Sequence, residues 1–228
     1  MGTDDQNPRV STRRFVLEAI DPVTECPTIE VSFDVDDVAE LCSIIDPTAT
    51  DIYEGAVYEL EEHDVEQIKA HFSVQFNPGA LAVRLRSWHP LDELPYKVHT
   101  GRELAMMLNG SKPLAAFSGQ HPANLDVEEI PERLFDSYVA AGRFVKREYF
   151  VPAGKPPTLG GQATSTWRIV LYASKGQEWR IDAYILLYQV AAKAGWSESL
   201  ERMQGSLLGY EEWQNDAFIE KKYKRARA

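Results

Sequence analysis

The chain has 228 residues, 44% of them hydrophobic, with 24 Lys and Arg against 35 Asp and Glu and a formal net charge of -11. A chain of this length forms one large domain or two small ones and buries roughly 70% of its unfolded surface, so it folds without a disulfide framework or a structural metal. The charge argues against a general polyanion binder, so a nucleic acid is not the expected partner, because no excess of cations exists to release counterions from it.

In chain order, residues 1–11 read as a flexible tail and 12–228 as a single globular domain, with a sub-boundary near 123–130. Phe15, Leu17 and Ala19 alternate with more polar neighbours, as do Ile29, Val31 and Phe33 after the Asp21-Pro22 break, so the two segments read as paired antiparallel strands. Asp34 or Asp36 is placed to cap a helix carrying Val38, Leu41, Cys42 and Ile45. A third strand is expected over 53–60, then a short helix capped by Asp64, the Asn77-Pro78-Gly79 turn, and a strand at 80–88 with Leu81, Val83 and Leu85 on one face and Arg84 and Arg86 on the other.

Residues 99–103, HTGRE, read as a helix start with Thr100 as cap and Glu103 reaching back to it. Leu104, Met107 and Leu108 form the stripe, and Asn109-Gly110 ends it. A brief strand over 112–117 is expected to give way to a turn at Ser118–Pro122, followed by an acidic linker over 125–131. A helix with Leu134, Phe135, Tyr138 and Val139 comes next, then strands at 144–151 and 167–172 around the loop PAGKPPTLGGQAT, which the sequence leaves open as a lid or a plain connection. The part at 178–224 reads as helical, and its first helix, apolar nearly all round, reads as buried. Strands that follow one another through turns point to an α+β fold with a mixed or mainly antiparallel sheet, packed helices and a helical C-terminal third.

No GxSxG, HExxH or CxxC is present. Two cysteines, Cys26 and Cys42, and histidines without HxH or HxxxH spacing give no reason to expect a metal, and no cofactor motif occurs. The polar start MGTDDQNPRV has no h-region, and no run of eighteen apolar residues exists, so a cytoplasmic protein without a membrane segment is expected.

Two functional readings follow. The first is a non-catalytic protein that binds another protein in regulation, defence or immunity-type inhibition. Its acidic character suits a basic partner, and Trp196, Tyr210 and Trp213 are the candidate interface residues. The second is an enzyme acting on a small anionic or phosphorylated ligand in a pocket formed by residues 84–122. There Arg84, Arg86, Arg102, Thr100 and His89 would hold the anion, with His99, His121 or Asp182 as acid or base.

Overall fold

The computed structural model describes residues 12–46, 51–52, 55–121, 129–152 and 166–224. The expected tail at 1–11 lies outside them, as do the acidic linker and sub-boundary up to residue 128 and the loop from residue 153. The chain divides into two compact units, Met1–Glu93 and Leu94–Ala228. Each carries an antiparallel sheet with packed helices, so the α+β class holds in both, and the second unit ends in helices.

In the first unit β1 (Arg13–Ile20), β2 (Pro27–Val35), β3 (Val57–Leu60) and β4 (Ala82–Ser87) form a sheet in the order β2-β1-β4-β3, every neighbour antiparallel. Phe15, Leu17, Phe33, Val83 and Leu85 pack with Leu41 and Cys42 of α1 (Val38–Ile45) and Val65 and Ile68 of α2 (Glu62–His71). The cap of α1 is Asp37, whose carboxylate accepts the Ala39 N–H at 2.9 Å. The two aspartates expected in that role are committed elsewhere, Asp34 to Arg14 and Asp36 to Thr12. Likewise Asp64 is the third residue inside α2 and closes a capping box with Glu61, so the helix starts before it.

On the opposite face β1 contributes a buried carboxylate. Glu18 is 2% exposed and accepts from the Nε atoms of both Arg84 and Arg86 at 2.6 Å. The register explains the meeting, because Glu18 lies directly across from Arg84, with Arg86 two residues further along the same face. Arg86 also forks onto Asp92 at 2.7 and 3.0 Å. Burial works against its charge, but the hydrogen bonds to Asp92 and Glu18 outweigh it and raise Arg86 above the ordinary arginine range.

The second unit is a three-layer arrangement around the sheet β5-β7-β6, with β5 Leu114–His121, β6 Phe144–Pro152 and β7 Thr166–Ser174. β7 is central and antiparallel to both neighbours. Its alternating side chains feed two cores. Val170 and Tyr172 pack with Leu104 and Met107 of α3 (Glu103–Leu108) and Phe135 of α4 (Glu132–Ala140). Ile169, Leu171 and Ala173 pack with Ile181, Tyr184 and Leu187 of α5 (Trp179–Ala194) and Leu207 of α6 (Glu198–Leu207). α7 (Glu212–Ile219) crosses α6 where Gly205 leaves room for Asn215.

Two expectations are corrected here. Ser118 to His121 belong to β5 rather than to a turn, because β7 supplies ladder partners as far as His121↔Thr166. And α5 is not buried all round: Trp179 is 57%, Leu186 59% and Val190 42% exposed. Only the Ile181–Tyr184–Leu187 side meets the sheet.

Two stability outcomes follow. Glu18→Gln leaves two guanidinium groups facing a neutral amide and should destabilise the chain by about 3 kcal/mol in urea unfolding, as breaking a buried ion pair does. A Cβ at Gly205 would stand 1.9 Å from Asn215 Oδ1. Gly205→Ala should therefore cost about 2 kcal/mol, and Asn215→Ala in the same chain should recover most of it.

Candidate functional site

The densest group of perturbed side chains lies in the second unit, built on the two ends of α3 and the turn between α6 and α7. His99 opens a β-turn in which the Arg102 N–H donates to the His99 carbonyl at 2.8 Å. Gly101, the third residue of this turn, has φ +74, in the left-handed region that favours glycine. Thr100 is therefore an exposed turn residue and not the helix cap, and α3 starts at Glu103. The Glu103 carboxyl folds back onto the backbone N–H groups of Gly101, Arg102 and Glu103 itself. Burial raises Glu103 above the usual carboxylate range, with those N–H groups and the charge of Lys112 acting against it.

After α3, the chain passes Gly110 and buries Lys112, which is 2% exposed. Its Nζ lies 3.0 Å from Nδ1 of His99 and donates to the Leu208 carbonyl at 3.1 Å. His99 is 5% exposed and its ring stacks on Tyr210 at 3.8 Å, with planes 9° apart. The Tyr210 hydroxyl accepts the His99 N–H at 2.9 Å. Burial lowers His99 to about 3, aided by the Lys112 charge and opposed by the Leu208 carbonyl. Burial also lowers Lys112 to about 8, with Glu103 opposing. At neutral pH the imidazole is uncharged and accepts from a lysine held charged at a cost.

From His99 a run of rings leads to the surface. Tyr210 meets Tyr96 edge-on at 5.9 Å, and Tyr96 meets Trp213 edge-on at 5.4 Å. The Tyr96 hydroxyl donates to the Gln214 carbonyl at 3.1 Å, fixing the ring against α7. Trp213 is half-exposed, and its indole N–H donates to Glu211 at 2.8 Å, beside the exposed Glu212. Sequence spacing pointed to Tyr210 and Trp213 but not to Lys112. A lone lysine between Ser111 and Pro113 carries no sign of burial, since lysine is almost never buried without a partner distant in sequence.

The other expected site residues are dispersed. Arg84, Arg86 and His89 belong to the first unit. Arg84 and Arg86 are engaged with Glu18, while the exposed His89 accepts the Leu91 N–H on its ring and donates its own N–H to Asp92. Arg102 is half-buried at the start of α3. His121 lies at the far end of β5, edge-on to Phe150 at 5.2 Å. It is nine residues from Lys112, about 30 Å along an extended strand. His99 and His121 are thus not brought together. Asp182 is exposed and forms an ion pair with Arg147, which is also exposed. Trp196 is half-exposed, packs on Tyr188 at 5.5 Å and donates its N–H to Glu201. Among the described residues no three or more His, Cys, Asp or Glu side chains come together as a metal site would require, and no helix is long and apolar enough to cross a membrane.

Comparison with known protein families, with characterised proteins and with solved structures finds no match to this chain.

The cluster makes stability depend on pH. An unfolded histidine takes up its proton near pH 6.5, whereas folded His99 waits until about 3, so the unfolded state binds more protons between those values. Stability contributed by neutral His99 is complete above about pH 6.5 and falls as pH drops toward 3. Lys112 acts in the alkaline range, where unfolded lysine keeps its proton to about 10.4 and the folded one loses it near 8, so stability rises with pH across that window. His99→Gln should flatten the acid limb of Tm against pH relative to the native protein, and Lys112→Met the alkaline rise; parallel curves for native and variant would refute the assignment.

Proposed function

We propose that this chain is a binding protein, not an enzyme, and that it docks a basic segment of another protein on the aromatic surface at the start of α7. The observation that carries the reading is Trp213. It is half-exposed, yet braced edge-on by Tyr96 and tied through its indole N–H to Glu211. An aromatic anchor already held in place loses little freedom on binding, and Trp is prominent among interface hot spots. A Lys or Arg side chain laid on the indole would meet its π face and the two carboxylates, Glu211 and Glu212, together. The chain's net charge of -11 would steer such a partner toward it.

The exposed tryptophans support the same reading. Four of the five, Trp167, Trp179, Trp196 and Trp213, stand between 39% and 57% exposed, all of them in the second unit. The catalytic alternative finds less support. The lysine and histidine whose protonation is made harder by burial, Lys112 and His99, are buried against each other, and Lys112 spends a further hydrogen bond on a backbone carbonyl. Partner binding fits action in regulation or defence, in the reduced interior of a cell.

A photo-cross-linking residue placed at the exposed Asp216, one turn along α7 from an intact Trp213, should in the native host give a discrete adduct with a protein bearing a basic surface. One at the exposed Asn109 should not. Glu211→Lys with Glu212→Lys should abolish the adduct, as should about 0.5 M salt, which screens exposed charges beyond a few ångströms. No adduct at Asp216, or one indifferent to both changes, would sink the proposal.

A further inference from the structure

The α5 helix presents a second surface, separate from α7. Trp179, Asp182, Leu186, Val190 and Lys193 are all exposed. At 100° per residue they fall within about 40° of Leu186 on either side, opposite the Ile181–Tyr184–Leu187 face that packs on β7. Leu186, at 59% the most exposed large apolar side chain among the described residues of the second unit, sits at the middle of the stripe. Apolar residues recurring at seven- and four-residue spacing along an exposed helix are the pattern by which one helix seats another.

The geometry points to a second copy of this chain as the occupant, its α5 lying antiparallel about a twofold axis through Leu186. Charge complementarity carries the choice. The stripe has a carboxylate toward its N-terminal end, Asp182, and an ammonium toward its C-terminal end, Lys193. Antiparallel pairing sets opposite signs together at both ends, whereas parallel pairing sets like signs together. With Leu186 against its counterpart, Trp179 lies across from Lys193 of the second copy. Asp182 is then one helical turn, about 4.5 Å along the axis, from the same ammonium. Each lysine stem covers an indole while its head meets a carboxylate. Asp182 also pairs with Arg147 of its own chain, which holds it on the exposed face. Pairing of this kind is isologous, so one stripe serves both partners. A single helix face of about 24 Å buries an area at the low end for specific association, so the dimer should be weak, with a Kd on the order of tens of micromolar.

Sedimentation or light scattering of the full chain from about 1 to about 300 µM should show the mass rising from 25.8 kDa toward twice that value. Leu186→Glu should weaken association at least about tenfold with Tm unchanged. The arrangement is checked by oxidation in a Cys26→Ser background: Leu186→Cys should give a disulfide-linked dimer, Lys193→Cys alone should not, and an equal mixture of Trp179→Cys and Lys193→Cys should. A native chain that stays monomeric throughout, a dimer indifferent to Leu186→Glu, or equal cross-linking from Lys193→Cys alone would overturn the proposal. So would a monomer in which Leu186→Glu lowers Tm, because the chain itself would then cover the stripe. A monomer that cross-links from Leu186 to a different protein assigns the face to that protein and equally overturns it.

Discussion

Burying the Lys112 ammonium is the constraint on which the second unit's organisation turns. An ammonium taken out of water must be met by acceptors, and the acceptors available come from three places in the chain: the imidazole of the turn before α3, the carbonyl of Leu208 after α6, and the charge of Glu103 at the start of α3. Each of these is positioned by something else. Tyr210 stacks on His99 and accepts its N–H, which fixes the ring. Gly209, at φ +91 and against Pro113, lets the chain turn from α6 to Tyr210 at this point, since a Cβ there would come within 2.5 Å of the proline ring. One buried charge thereby ties the α3–β5 connection to the α6–α7 connection, and Trp213 inherits its rigidity from that tie through Tyr96.

The first unit handles buried charge differently. Glu18 occupies a strand position whose cross-strand partner is Arg84, and Arg86 reaches it from two residues along the same strand. The network satisfies itself on a regular ladder, so the strand pattern and the charge pattern are the same pattern. In the second unit the lysine lies just outside any strand or helix, and its partners depend on tertiary placement.

That contrast accounts for what the sequence reveals. Alternation made β1, β2 and β4 readable, because each has one face on a core and one face polar, and Arg84 and Arg86 were visible as a basic face. Their common acceptor was not, since nothing in VLEAI marks Glu18 as the residue that β4 will lie across. The α5 helix was legible as a helix but not in its exposure. Ile181, Leu187 and Tyr184 serve the sheet, while Trp179, Leu186 and Val190 lie on the other side, and a helix apolar on both faces reads as buried when only composition is considered. Thr100 is not the cap because His99–Arg102, with Gly101 at positive φ as its third residue, forms a β-turn and leaves Glu103, one position inside, to satisfy the helix start. His99 was singled out for its residue type. Its lysine, thirteen residues on, was not, because burial of a lysine depends on partners as far away as Leu208.

The place of β7 between β5 and β6 also bears on the order in which the chain can assemble. β5 pairs with β7 alone, across 45 residues at His121↔Thr166 and 59 at Leu114↔Ala173. β6 and β7 are close in sequence, so their pairing carries little loop-closure cost. During synthesis β5 leaves the ribosome as a strand with no ladder partner and stays so until β7 follows. α5 and α6, which cover the sheet's second face, emerge later still. α3 and α4 can cover one face of the strand LAAF in this interval, but its ladder edge has no partner until β7 follows, and this early window, rather than the finished fold, is where that edge is most exposed to mispairing.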